Sequence, residues 1–578
     1  MRRILKIQFP VLLLWLSVTA TAQQDSSEKK FSISGTMGAS YEYYGLSRKP
    51  TGWTGFTPRK PWNQVRFNFA PDIKFSKNFS LPINFNFAIK PTNFAGPYSG
   101  LTKQSFGQFI TNPMNNFGLN PKYKWAELQL GTQYLNYSEL STGDIGVFGA
   151  GFDLGPGTYI IKFFTGLSQQ GVNFFTGPPQ TNGAYKRTNS MVSLGKAREG
   201  KYELAFNFVK AKDDINSVDT VPANVKPQEG FTMSFAGKAF FNKGWYVSGE
   251  GAQSLYTKNL LLPEDTSKPS FKPFITGHTS TVKDYAADFS AGKRSQNFDI
   301  GVKLKYIGAG FQTPGYPFMQ PDRFDYTLNT KFNAIKDKNG AYKMNVVASV
   351  GQRVNNVSST TLKAKQFIGN LNWFTQFNDH WSLNVSFNNF GFQAPGGINP
   401  YGIKNVSNDF GVNPSFTWGN EKVIHILSMN YNYSKYDERD VITGNITSNN
   451  THMGLLTYVP TFLTKNITPD FSFMYFKNTM PGFKLTLITF SAGAGMQAMK
   501  NKMNLRAQVQ YNYSRTNSFK NNNNIIASLN SDWRVSQKLT WTTFLSSNRF
   551  KYGNEIVPNN ASYLETNFRT GFQYRFGK

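Results

Sequence analysis

Apolar and polar residues change places at every step over long stretches of this chain. From Val65 onward the odd positions Val65, Phe67, Phe69, Ile73 and Phe75 are apolar, and the even positions Gln64, Arg66, Asn68, Asp72, Lys74 and Ser76 are polar. That is the period of a strand with two different faces, not of a helix. The same alternation recurs in Leu81, Ile83, Phe85, Phe87 and Ile89, in Phe324, Tyr326, Leu328 and Phe332, in Trp381, Leu383, Val385 and Phe387, and in Met503, Leu505, Val509, Tyr511 and Tyr513. Strands of soluble sandwiches are usually about 5 or 6 residues long, whereas these runs reach roughly ten, the length a tilted strand needs to cross a bilayer. The pattern therefore predicts an all-β fold, a large transmembrane antiparallel β-barrel with one residue facing lipid and the next facing a polar interior.

A turn motif punctuates the pattern. Phe75-Ser-Lys-Asn-Phe79, Phe241-Asn-Lys-Gly-Trp245, Phe377-Asn-Asp-His-Trp381, Met499-Lys-Asn-Lys-Met503 and Val535-Ser-Gln-Lys-Leu539 each place three mostly polar residues between two apolar ones. These predict tight hairpin turns beside interfacial side chains. Longer polar stretches fall between them at 48–62, 96–122, 262–294, 395–406 and 437–448. Short periplasmic turns and long extracellular loops follow, and we expect roughly 24–26 strands. From Lys338 to the C-terminus turns and loops alternate consistently with a periplasmic end. Before Lys338 they do not: the turns at Lys77 and Lys243 cannot both face the periplasm with the strands that are visible. One strand is missed or invented between them, and another hides within Thr279 to Ala291.

Composition adds the compartment. The chain holds 53 Phe and 28 Tyr, yet its mean hydropathy is −0.42, as expected where lipid-facing and water-facing residues alternate. Arg2, Arg3 and Lys6, the apolar run Val11 to Val18, and Ala20-Thr21-Ala22 have the form of a signal peptide. The expected organisation is a signal peptide over 1–22, a short N-terminal segment over 23–30 and one barrel over 31–578. No run approaches the ~20 apolar residues of a helical span. Cysteine is absent, which excludes a lipoprotein anchor and favours a bacterial envelope protein.

The C-terminal segment Phe568-Arg-Thr-Gly-Phe572-Gln-Tyr574-Arg-Phe576-Gly-Lys578 resembles the terminal assembly strand of Gram-negative outer-membrane proteins, although Gly577 and Lys578 follow the last aromatic. Gln23 after the cleavage site, the abundance of Asn and Phe, and the basic balance look like barrels of the Bacteroidota. The resemblance names no subfamily. It implies residence in the outer membrane, contact with lipid and lipopolysaccharide, and Phe572, Tyr574 and Phe576 as a signal read by the outer-membrane assembly machinery. Energised, ligand-gated transporters resemble this chain in their barrel but also carry an N-terminal plug domain. Only Gln23 to Lys30 precede the first alternating run here, so we expect no plug unless a separate plug protein or envelope lipoprotein supplies one.

Charge suggests what the lumen prefers. The chain has 62 Lys and Arg against 33 Asp and Glu. Where alternation is clear, the polar face carries Arg66, Lys74, Lys90, Lys303, Lys305, Arg323, Lys331, Arg506, Arg569 and Arg575, against Asp72, Glu127, Asp299, Asp325 and Glu565. Such a lining, basic by about two to one, predicts an anion preference. The competing reading is that the excess offsets lipopolysaccharide phosphates or is paired within the barrel. Scattered charges without a recognition motif argue against a nucleic-acid partner.

Nothing in the sequence points to catalysis, a metal site or a cofactor. Of the four histidines, His278 and His452 fall in loop-like segments, His380 in a turn and His425 on a strand, and neighbouring Asp379 and His380 read as turn chemistry. Gly151 to Gly157 lacks the following Lys of a phosphate loop and reads as a hairpin turn.

A barrel of this size is too wide to stand open. The stretch Ser99 to Lys122 is more apolar than a solvated loop, which makes Phe106, Phe109 and Phe117 candidates for a constriction. An ordinary compact surface loop is the other reading. Two functions remain in view: a passive porin-like channel for small, anionic solutes, and a non-enzymatic scaffold or binding barrel in a secretion, export or adhesion assembly. A conduit for lipids or hydrophobes is a third.

Overall fold

In the computed structural model the described residues are 31–47, 63–92, 110, 115–143, 145–176, 181–336, 342–360, 363–394, 403–439, 443–517, 521–554 and 562–577. Apart from a small two-stranded sheet, Val172–Phe175 with Thr181–Ala184, their strands form one antiparallel sheet that closes on itself, with the first strand, Ser32–Ser47, paired to the last, Tyr563–Phe576, through Met37 opposite Tyr574. The short pieces Asn116–Leu119 and Lys122–Tyr123 both pair with Phe79–Thr92, and both pair with Ala126–Leu135. They are one interrupted strand, and the wall has 26 strands. Closure leaves no free edge, the only arrangement in which a sheet satisfies all its backbone groups in hydrocarbon.

The start of the first strand and the end of the last lie at one rim. The turns at 75–78, 241–244, 377–380, 499–502 and 535–538 all lie at that rim, and the longer connections lie at the other. An even number of strands separates Lys77 from Lys243, so both turns face the same way. The strand predicted within Thr279 to Ala291 is Thr281–Arg294.

The two faces of the wall differ chemically. On one, Phe206, Phe235, Phe289, Leu328, Phe473, Phe490, Val509 and Leu545 stand exposed around the circumference. Exposed aromatics and aliphatics in a continuous band are what lipid contact requires. The opposite face carries Asn, Gln, Ser, Thr and most of the charge. It is the concave face, because two loops whose flanking strands are far apart in the wall meet directly across it. Gly143 of the loop 136–143 donates its N–H to the Gly315 carbonyl of the loop 308–322 at 3.0 Å, and six strands lie between Ile145–Leu154 and Phe298–Ile307. A chord of this kind can run only through the lumen.

A third loop, 258–280, folds the other way. Its Ile275 is buried against Phe231 and Leu255 of the lipid-side face. Phe271 and Phe274 stack on Phe231 with centroids 5.5 and 5.1 Å away.

One row of glycines marks a bend. Gly118, Gly131, Gly149 and Gly166 stand side by side on four successive strands, on the concave face. A Cβ at Gly149 would lie 1.9 Å from the Thr165 carbonyl oxygen. No larger residue fits there, which is how a sheet turns a corner.

Candidate functional site: a lumen filled on one side

The inward face of the wall between Ala126–Leu135 and Arg323–Lys336 is dry at its loop end. Leu135, Val147, Phe164, Met191 and Val209, from five neighbouring strands, form a buried apolar row with Tyr137 and Ile145 packed against it. Beside it Leu140 and Phe311, from the two inward loops, are buried with Met319 against Ala252, Ala286 and Ile307. Burying a Leu or Phe side chain contributes about 1.5–3 kcal/mol, so each loop gains by leaving water and lying on the wall.

Polar contacts fix the loops in place. The buried Glu250 carboxylate accepts from the Ser138 hydroxyl at 2.6 Å and from the Leu140 N–H at 3.1 Å. Thr313 donates to the Ser141 carbonyl at 2.7 Å. Asp284 accepts from the Gly310 N–H at 2.6 Å, and Asn189 reaches the Pro314 carbonyl at 3.4 Å. Glu139 bridges to Lys303 at 2.8 Å and to Lys305 at 3.4 Å. Burial pushes the Glu139 carboxyl up, but hydrogen bonds and charge from Lys303 and Lys305 outweigh it and hold the group below its ordinary value. Burial, reinforced by Asp153, pushes the Tyr137 hydroxyl well above the usual phenol range, so it stays neutral.

Apart from Lys90, the cations named from the sequence stand, by strand register, on the concave face, in varied settings. Lys303 and Lys305 are engaged by Glu139. Arg323 lies 3.8 Å from Asp325, which also takes a two-pronged contact from Arg353 at 2.8 and 2.9 Å. Arg506 meets Asp470 at 3.1 Å, and Lys74 lies 3.8 Å from Asp72. Lys331 is opposite Asp299, itself bound by Arg294 at 2.6 Å. Arg569 lies over the Phe544 ring and opposite Glu42. Arg66 donates to Gln64, and Arg575 is exposed opposite Thr36. Lys90 is on the strand Phe79–Thr92 with its side chain outside the described residues. More acids share this face than alternation revealed, among them Asp153, Asp213, Glu250, Asp284, Asp288 and Asp409. The lining is therefore far closer to neutral than the expected two-to-one ratio, because those acids sit on strands where both faces are apolar or where small residues blur the period.

Of the residues expected to form a constriction, Phe117 alone is described. Phe106 and Phe109 lie outside the described residues. Phe117 is a wall residue: it pairs with Phe85, rings 4.9 Å apart, on the lipid-side face. A strand fixes the direction of its side chains, so Phe117 cannot enter the lumen. The residues that do enter, Leu140 and Phe311, escaped the sequence reading. Gly308-Ala-Gly-Phe311-Gln-Thr-Pro-Gly-Tyr316 is as poor in charge as the stretch that was chosen, and that was the available signal.

Phe572, Tyr574 and Phe576 lie on the lipid side of the closing strand. Phe576 stacks on Phe69 and Phe572 on Trp541, at 6.1 and 6.2 Å. The histidines are dispersed. His278 contacts the Leu262 carbonyl and His380 the Thr417 carbonyl; His425 meets the Tyr458 hydroxyl and His452 the Tyr431 hydroxyl.

A closed 26-strand wall with an apolar outer band is an outer-membrane β-barrel, and the chain resides in the bacterial outer membrane. No family model and no curated protein matches it. Among solved structures it is similar to the P pilus usher PapC translocation pore, with 11% identity, 94% of this chain and 99% of that one covered, and a TM-score of 0.37. It is similar also to the ferric enterobactin receptor PfeA of Pseudomonas aeruginosa, at 10% identity, with 93% and 80% covered and a TM-score of 0.38. A third is OpdK of Pseudomonas aeruginosa, at 10% identity, with 65% and 98% covered and a TM-score of 0.30.

Proposed function

We propose that this barrel is a passive channel for small hydrophilic solutes, whose path follows the side of the lumen that the described loops leave uncovered. The carrying observation is the lining there. Gln508 bonds Ser491 at 2.8 Å, Thr489 bonds Asn512 at 2.7 Å and Ser349 bonds Asn329 at 2.7 Å. Uncharged donors and acceptors in rows wet a wall without trapping ions, so solutes that exchange hydrogen bonds with it can enter and leave. The near-neutral lining supports at most weak anion preference. We assign no catalytic role.

The width of the barrel favours a second reading. Twenty-six strands about 4.8 Å apart and tilted by about 40° would enclose a circle of about 50 Å backbone diameter. A partner protein seated in the uncovered side would make the barrel a scaffold. Planar-bilayer recording on the purified barrel separates the two: stepwise, weakly selective conductance is expected of a channel, and a silent barrel that conducts only after a partner is stripped away supports the scaffold.

A further inference from the structure

We propose that the outer wall binds the phosphates of an anionic lipid through five cations at the loop rim: Lys477, Lys484, Arg515, Arg549 and Lys551. They sit on the strands Ile467–Met480, Phe483–Ala498, Met503–Thr516 and Leu539–Lys551, and register turns all of them toward lipid. Lys477 is opposite Thr486 and Thr486 is opposite Arg515, while Lys484 stands two residues from Thr486. Lys477 and Arg515 are thus two strand spacings apart, about 10 Å. Lys551 is reached from Tyr513 through Asn523, and Arg549 from Tyr511 through Ile525.

The chemistry along each strand is layered. Phe473 and Phe490 lie in the apolar band, Tyr475 and Tyr513 follow toward the rim, and the cations come next. Aromatics with a polar tip mark the interface with headgroups, so the cations lie at phosphate level. Among the described residues of these strands and of Asn522–Arg534 between them, no Asp or Glu faces lipid: Asp470 and Asp532 both point into the lumen. At the same rim elsewhere, Lys210 and Lys212 share the buried Glu229. Unpaired cations at headgroup depth attract anionic lipid, and the paired ones provide an internal control.

Wild-type barrel is reconstituted in phosphatidylcholine nanodiscs doped with a bisphosphorylated glycolipid or its dephosphorylated form, then extracted into detergent for native mass spectrometry. The wild type should retain the phosphorylated lipid only. Removing cations by K477S, K484S and R515S should weaken retention about five-fold for each, while K210S/K212S should leave it unchanged. Inorganic phosphate added at equal concentration should not displace the lipid. Equal retention of both lipid forms, displacement by inorganic phosphate, or full retention by the triple variant would each overturn the proposal. The wild-type comparison decides even if the triple variant fails to fold.

Discussion

Two arcs of one wall solve different problems. The ten strands from Ala126–Leu135 to Arg323–Lys336 carry loops on their concave face, and the residues beneath are apolar or small: Val147, Phe164, Met191, Val209, Ala252 and Ala286. The other sixteen strands present Asn68, Asn84, Asn86, Asn384, Asn413 and Gln508 to the lumen, and no buried apolar cluster forms there among the described residues. Strand length differs as well. Ala126–Leu135, Ile145–Leu154 and Phe298–Ile307 have 10 residues each, whereas Ile403–Gly419, Val423–Arg439 and Ile446–Phe462 have 17. The contrast shows that the inner face of a barrel is polar only where water touches it. Where chain covers it, packing selects the residue instead.

The largest expected effect comes from uncovering the filled arc. Replacing 309–320 with a short Gly-Ser linker removes Phe311, Tyr316 and Met319 and should raise single-channel conductance several-fold. Replacing the open-arc connection 356–363 with the same linker should leave conductance unchanged. Equal responses to the two deletions would erase the distinction between the arcs.

The same distinction explains how much could be read in advance. Barrel class, the even strand number and the short-turn rim were legible because the open arc alternates cleanly, as in Val65 to Phe75 and Met503 to Tyr513. Strand parity failed between Lys77 and Lys243, where the filled arc lies. There Val147 and Phe164 on the inner face match Phe148 and Phe163 on the outer, and glycines at 149, 151 and 166 hide the period. Among the described residues, loops enter the lumen where the wall beneath them is apolar too. Leu140 packs on strands more than a hundred residues away, and Phe311 on Ala252 and Ala286 of earlier strands, and such non-local packing leaves no local mark.

Intermediate effects should come from the polar anchors. Glu250→Ala leaves the Leu140 N–H and the Ser138 hydroxyl without their acceptor, at a cost of about 1–3 kcal/mol. Hydrogen exchange should quicken at 138–142 and not in the strands of the open arc. Glu139 adds a pH dependence. Its carboxyl is held low in the folded protein, so its contribution is complete above the unfolded carboxylate range and is lost as pH falls through the folded value. Acidification should protonate Glu139, release Lys303 and Lys305, and increase current noise. Glu139→Gln should be noisy at neutral pH and lose that acid response.

The smallest effect concerns ion selectivity, and its size follows from geometry. At 0.1 M salt a fixed charge is screened over about 10 Å, so single cations on the wall of a lumen tens of ångströms wide act on the ions near them and not on the whole path. Arg66 and Arg575 are the candidates in the open arc, since both are exposed and neither forms an ion pair among the described residues; Lys303 in the filled arc already answers to Glu139. Arg66→Ser with Arg575→Ser should shift the chloride-to-potassium permeability ratio toward cations by at most about two-fold, as local screened fields allow. Lys303→Gln should leave the ratio unchanged while reproducing the noise of Glu139→Gln. Reversal potentials in a salt gradient measure both. If Lys303→Gln moved the ratio more than the arginine pair, the ions would be passing along the covered side, and the conducting path would have to be placed there instead.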